Sequence, residues 1–290
     1  QVSPYCLGAM MFGAMGNPDH DDSIRIIHTA LDAGINFVDT ADVYAQGESE
    51  EIVGKALKKY NIPRERVVIM SKVFFAVGDD NAPTFSATND GEFVNRLGLS
   101  RKHIIDAVEA SVKRLGTYID VLQIHRLDHE TPKEEIMRAL NDVIERGWVR
   151  YIGASSMAGW EFQQLQNLAE KHGWHKFISM QNFYNLLYRE EEREMLPLCH
   201  QEGVAVIPWS PLAGGWLSGR YRKDGDDPSS SRRASGSEFI RRMAPESSRA
   251  ATRASPACSP SALLTAMTSA ISRMPRMMPS SWSPPRARAR

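Results

Sequence analysis

Apolar runs that read as buried strands end, one after another, in polar side chains. "INFVD" stops at Asp39, with Tyr44 close behind; Lys72 lies near the end of "RVVIMSKV", and His125 closes "IDVLQIH". Ser155 and Ser156 follow "YIGA", Gln181 ends "FISMQ" and Trp209 ends "VIPW". An acid, a phenol, an amine and an imidazole brought to one place could donate a proton to a carbonyl oxygen while a hydride reaches its carbon. A phenol with an ordinary pKa near 10 is sluggish at this, and a neighbouring lysine cation favours the phenolate and lowers the value. Asp39 would hold the lysine charged and oriented, and His125 could donate a hydrogen bond to the substrate oxygen. Ser155, Ser156 and Gln181 offer partners for a nicotinamide amide, and Trp209 a face for its ring. Each also has a plain reading: Asp39-Thr40 could cap a turn, Tyr44 and Trp209 could be packing, and His125 could be a satisfied core histidine. Lys72 resists one, because an unpaired ammonium inside a strand is costly to bury.

The elements that must position these residues alternate regularly. Helical spacing runs through "DDSIRIIHTALDAG", "ESEEIVGKALKKY", "SRKHIIDAVEASVKRLG", "TPKEEIMRALNDVIERG", "GWEFQQLQNLAEKHG" and "REEEREMLPLCHQEG". Acids lead and lysines close the second, as the helix dipole favours. Ser100 reads as an N-cap and Gly116 as a stop; Thr131 reads as an N-cap, with Pro132 at the first helical position. Between the helices lie strands apolar on both faces, which belong in a parallel sheet covered by helices. Counting "CLGAM" there are seven, through "VAVIPWS". With no Gly-x-Gly-x-x-Gly turn after any strand, the pattern fits a (β/α)8 barrel better than a doubly wound dinucleotide fold. In such a barrel the strand ends converge on one rim.

The chain has 290 residues and a formal net charge of zero, which argues against nucleic acid or a membrane surface as partner. Its three cysteines are far apart and do not suggest a disulfide framework. No apolar run reaches the roughly 18 residues of a membrane span, and "QVSPYCLGAMMFGAMG" lacks the basic start of a signal peptide, so the cytoplasm is expected. That start has no initiator Met and reads as clipped. In "HRLDH", His125 and His129 have the spacing of a helical metal pair, but the stretch leaves a strand for a loop and no metal is expected. The connection 74–99 carries Phe74, Phe75, Phe85 and Phe93, which could wall a pocket for an aromatic aldehyde or simply fold onto the barrel.

"GINFVDTADVYAQGESEEIVGKAL", "MSKV", "LQIHRLD", "YIGASSM", "SMQNFYN" and "IPWSPLAGG" together resemble the aldo-keto reductase superfamily, most closely its aryl-alcohol-dehydrogenase-like group, over residues 2 to 225. The resemblance implies a (β/α)8 barrel, NADP(H), a small carbonyl substrate, and a catalytic tetrad on Asp39, Tyr44, Lys72 and His125. Cofactor contacts would fall on Ser155, Ser156, Gln181, Trp209, Ser210 and Leu212. Ser155-Ser156 stands where the family has Ser-Asn. Potassium-channel β subunits share this barrel and tetrad, so a cofactor-binding regulatory subunit is the alternative, and an inactive product with an incomplete barrel a third.

Residues 228–290 differ from 1–227 in kind. They hold 11 Arg, no Lys, two acids and 15 Ser, with a net charge of +9 against −9 for the rest. "SALLTAMTSAIS" could form one helix, but "SRMPRMMPSSWSPPRARAR" reads as irregular. The family's last strand and helix, which grip the adenosine 2′-phosphate, are not recognisable there. The last unit is therefore expected to be atypical or missing, and the composition suggests a shifted reading frame.

Overall fold

The computed structural model describes residues 1–78, 85 and 88–218. The expected tail 228–290, and with it any closing strand and helix, lies outside the described residues. The chain divides into two compact units, Gln1–Gln181 with Val204–Val206, and Asn182–Gly203 with the chain from Ile207.

The first unit is a seven-stranded parallel sheet flanked by helices. Its strands are β1 (Leu7–Gly8), β2 (Phe37–Asp39), β3 (Val68–Val73), β4 (Ile119–Ile124), β5 (Val149–Ser155), β6 (Phe177–Gln181) and β7 (Ala205–Val206), paired in chain order. Helices α1 (His20–Asp32), α2 (Glu48–Lys59), α3 (Arg101–Leu115), α4 (Lys133–Glu145) and α5 (Gly159–His172) connect successive strands from β1 to β6. Such a sheet is legible because its strands are buried on both faces: Ile69, Met70, Leu122, Ile124, Ile152, Ala154 and Met180 are all inaccessible or nearly so. Each helix adds an apolar stripe, such as Ile52, Val53 and Ala56 on α2, or Ile136, Leu140 and Val143 on α4. The second unit contains a 3₁₀ turn at Glu190–Glu192 and α6 (Met195–Glu202).

Local signals set the helix ends. Asp19 accepts from the Asp22 amide to start α1, and Ser100 accepts from the His103 amide to start α3. Gly116 ends α3 with φ of +67°, in the left-handed region a glycine enters without strain. Three expectations need correction. Thr131 does not cap α4, because its hydroxyl donates to Asp128 at 2.7 Å and the cap position passes to Pro132. "REEEREMLPLCHQEG" is not one helix; α6 begins at Met195, which places Pro197 in its first turn, where the missing N–H costs nothing. β7 is only two residues long, since Pro208 cannot donate to a ladder; beyond it Trp209 forms a single bridge with Phe183.

Helix α2 meets the C-terminal end of α3 at Gly54. A Cβ built there would lie 2.5 Å from the carbonyl oxygen of Leu115 and 2.9 Å from its carbonyl carbon. These are backbone atoms that cannot swing aside. Gly54→Ala gains helix propensity of about 0.5–1 kcal/mol but overpacks the contact at a cost of about 1–3 kcal/mol. The variant is expected to be less stable by urea denaturation; an unchanged or raised midpoint would show that the helices separate freely.

Candidate active site

The β2–β3 register sets Asp39 beside Met70, two residues short of Lys72, and the β3–β4 register sets Val73 beside Ile124, just before His125. Lys72 is 1% exposed. Its ammonium donates to the Asp39 carboxylate at 2.8 Å, to the Thr40 carbonyl at 2.8 Å and to the Tyr44 hydroxyl at 3.1 Å. An ammonium has three N–H donors, and all are used. Because Tyr44 accepts from Lys72, its own hydrogen is left to point elsewhere. His125 meets the Tyr44 ring edge-on, with centroids 5.8 Å apart, and its buried Nδ1 has no partner among the described residues.

Burial, then Asp39 and Tyr44, act on Lys72: desolvation lowers its pKa, but the two partners outweigh it and the net shift is upward. The ammonium therefore keeps its charge. For Tyr44 the sequence-based expectation is corrected. Desolvation raises its pKa more than Lys72 lowers it, so the net shift is upward and the phenol stays protonated. Burial pushes His125 well below its ordinary value, with the Lys72 and Arg126 cations adding to the effect. Its ring is neutral.

The loop carrying Tyr44 is held by groups the sequence did not single out. The Asp42 amide donates to the Lys72 carbonyl, and the Val43 amide to Asp42 Oδ1 at 2.7 Å. Tyr44 opens a 3₁₀ turn in which Ala45 (φ 49°), Gln46 (φ 54°) and Gly47 (φ 92°) are all left-handed. A Cβ at Gly47 would strike Arg114 Cδ at 2.5 Å. Arg114 donates through Nε to Glu50 at 2.7 Å, and the Ser71 hydroxyl donates to the other oxygen of the same carboxylate, which is wholly buried. One strut thus joins α2, α3 and the strand residue before Lys72. Glu50 lies in an acidic helix start, where its spacing does not set it apart from Glu48 or Glu51.

Of the four loop phenylalanines, Phe75 reaches the site. It meets His125 at 5.1 Å, packs on the Ala41–Val43–Tyr44 cluster with Met10, and has Phe74 and Phe85 at 5.0 and 5.2 Å. Phe93 instead lies 5.9 Å from the Arg96 guanidinium. Ser155 donates to the Gln181 carbonyl at 2.7 Å and the Ser156 amide to the same oxygen at 3.1 Å. Gln181 Nε2 reaches Asp39 at 3.2 Å, leaving Oε1 as an acceptor without a partner among the described residues. Asp39, Tyr44, Lys72, His125, Ser155, Ser156 and Gln181 are therefore gathered at the strand ends of one unit. Trp209, Ser210 and Leu212 belong to the other. There the Trp209 ring lies 4.6 Å from Phe183, the Ser210 carbonyl accepts from Asn185 at 3.2 Å, and Leu212 is exposed. Asp128 and His129 of "HRLDH" take separate roles: Asp128 accepts from the Leu99 amide and Thr131, while exposed His129 lies 3.4 Å from Glu161.

Residues 4–265 match the profile of the aldo/keto reductase family. The chain belongs to this family. Versiconal hemiacetal acetate reductase of Aspergillus parasiticus is 60% identical over 229 residues, covering 75% of this chain and 66% of that protein. A Schizosaccharomyces pombe protein named, provisionally, as an aryl-alcohol dehydrogenase is 56% identical over 232 residues, with the same two coverages. An aldo-keto reductase of Alternaria alternata is 52% identical over 211 residues, 69% of this chain and 58% of its own length. The chain thus spans 66% or less of these curated relatives. The (β/α)8 barrel of the aldo/keto reductase family accounts for the parallel order of the seven described strands. Among the described residues no helix is long and apolar enough to cross a membrane.

Two buried neutral histidines make the stability of this family member depend on pH. His103, lowered chiefly by burial, donates through Nδ1 to the Gly98 carbonyl at 2.8 Å, and His125 is lowered further. Below about pH 6.5 the unfolded chain protonates these rings while the folded chain does not. The unfolded state then binds more protons, so stability falls as pH drops from 6.5 toward the folded values. Buried Asp42, raised by desolvation and by Glu50, acts in the opposite sense. A difference measurement cancels it: His125→Asn should lose less stability than the parent below pH 6.5, by up to about 1.4 kcal/mol per pH unit. Parallel stability curves for the two proteins would show that His125 is protonated when folded.

Proposed function

We propose that this chain is an NADP(H)-dependent reductase of aldehydes and ketones, acting on aromatic or medium-sized carbonyl compounds in the cytoplasm. The observation that carries the reading is the buried Lys72 ammonium, shared between Asp39 and the Tyr44 hydroxyl at 2.8 and 3.1 Å. Tyr44 donates its proton to the carbonyl oxygen, and Lys72 stabilises the phenolate as it forms. Asp39 keeps Lys72 charged. The neutral His125 ring retains one N–H to offer the same carbonyl oxygen, and Phe75 supplies an apolar wall. The bound cofactor supplies the hydride. Ser155, Ser156 and the free acceptor of Gln181 suit its carboxamide, whose NH₂ needs an acceptor and whose oxygen needs a donor. Trp209, Ser210 and Leu212 are assigned to the remainder of the cofactor by the family resemblance, as is the choice of NADP over NAD. The names of the relatives, a reductase and an aryl-alcohol dehydrogenase, support interconversion of carbonyl compounds and alcohols.

The test is NADPH oxidation with benzaldehyde-type and short aliphatic aldehydes. Turnover by the parent is expected, and Tyr44→Phe should lower it by at least about 100-fold, the scale of losing a general acid. NADPH binding, followed by fluorescence, should survive the substitution. Near-normal turnover in Tyr44→Phe would refute the assignment of the proton donor.

A further inference from the structure

Arg126 follows His125 directly and is half-buried. Its Nη1 donates to the His125 carbonyl at 2.6 Å, and no carboxylate among the described residues pairs with it. Two other partly buried arginines of this unit are paired with carboxylates, Arg64 with Asp120 and Arg114 with Glu50 at 2.7 Å, while Arg96 donates to the Val77 carbonyl in the loop after β3. A guanidinium carries five N–H donors in a rigid fork shaped for carboxylates and phosphates. Removing one from water without an anion costs free energy, and here one donor of the five is satisfied. The cation is also close enough to the site to lower the pKa of both His125 and Tyr44.

We infer that Arg126 is a specificity-determining residue, whose free donors receive an anionic oxygen carried by an aromatic carbonyl substrate. The inference rests on the reductase activity proposed above and names the substrate class more closely. Its position favours the substrate over the cofactor. Arg126 lies just beyond the end of β4, next to β3, whose continuation carries Phe74 and Phe75. Phe75 lies 5.1 Å from His125, so an aromatic ring seated on it has Tyr44 and His125 at its carbonyl and Arg126 within the same rim. The residues assigned to the nicotinamide amide end β5 and β6 instead. A ring substituent such as a carboxylate or phenolate would supply Arg126 with the anionic partner that no described residue provides.

The full chain and its Arg126→Met and Arg126→Lys variants should be compared on 4-carboxybenzaldehyde and its methyl ester, methyl 4-formylbenzoate. The two present the same reacting carbonyl and differ in one charge. The parent is expected to favour the carboxylate by about tenfold in kcat/KM, the scale of a charge-assisted pair. Arg126→Met should bring the ratio to about one, and Arg126→Lys, which keeps the charge and controls for misfolding, should restore part of it. A ratio near one in the parent while benzaldehyde is reduced would overturn the inference and leave the reductase activity standing. Binding of 4-(hydroxymethyl)benzoate against its methyl ester, by calorimetry, reads the same preference without turnover. A carboxylate preference lost in Arg126→Met would uphold the inference even if no aldehyde were reduced. Equal binding of the two would refute it. A tenfold loss of NADPH affinity in Arg126→Met with an unchanged carboxylate-to-ester ratio would assign the guanidinium to a cofactor phosphate, and would overturn it as well.

Discussion

The charge of Lys72 is the constraint around which the rest of the site is built. Placing an ammonium on an internal strand costs several kcal/mol unless its donors are met and an opposite charge is near. Three acceptors meet it, and all come from a stretch of six residues, Asp39, Thr40 and Tyr44, at the end of β2 and in the loop beyond. The parallel register supplies the first of these, because it brings the end of β2 alongside β3. The loop must then turn sharply enough to return the Tyr44 hydroxyl to the same nitrogen. Its conformation follows from that demand. Asp42 ties the loop backbone to β3 at Lys72 itself, and the turn closes through residues in left-handed conformations.

Two of those left-handed residues are not glycine. Ala45 and Gln46 would each be more stable elsewhere by about 1–3 kcal/mol, so surrounding structure must over-determine them. The Glu50–Ser71–Arg114 strut does this from behind. It fixes the first turn of α2, where the loop ends, to the residue preceding Lys72 and to α3. Arg114 also fills the space a Gly47 side chain would need. The buried carboxylate of Glu50 is itself a burden without Arg114, so the strut and the site depend on charge pairs of the same kind, one inside the other.

This nesting explains what was legible in the sequence. Strands and most helix ends were, because both-face burial and residues such as Ser100 and Gly116 act over a few positions. Lys72 and His125 were legible because polar residues at the ends of apolar runs need a reason. Glu50, Ser71 and Arg114 were not, since they are far apart in the chain and each has an ordinary local role: a helix-start acid, a strand serine, a helix-end cation. Arg126 was hidden beside His125, as an arginine in a loop is usually solvated. Thr131 and the start of α6 departed from expectation because a competing local acceptor, Asp128 three residues back, and the position of Pro197 decided them. Residues beyond 218, including the Arg/Ser-rich stretch, lie outside the described structure.

The upward shift of Tyr44 bears on how a lysine assists a phenol. A lysine cation beside a phenol favours the phenolate, but burial opposes that before any substrate arrives. A protonated Tyr44 is what reduction requires, since a phenolate has no proton to give. Lys72 meets the neutral phenol as a hydrogen-bond donor at 3.1 Å and through its ring face at 4.7 Å, but would meet a phenolate as a full charge at low dielectric. Its attraction therefore grows as the proton leaves. In the proposed reaction the pair does little to the resting state and most at the transition state, which is the condition for an interaction to accelerate a step rather than merely tighten binding. Asp39 keeps that attraction from being spent early. By holding the ammonium at 2.8 Å it moderates the pull on Tyr44, so that in the proposed reaction the phenol would retain its proton until a carbonyl oxygen is there to take it.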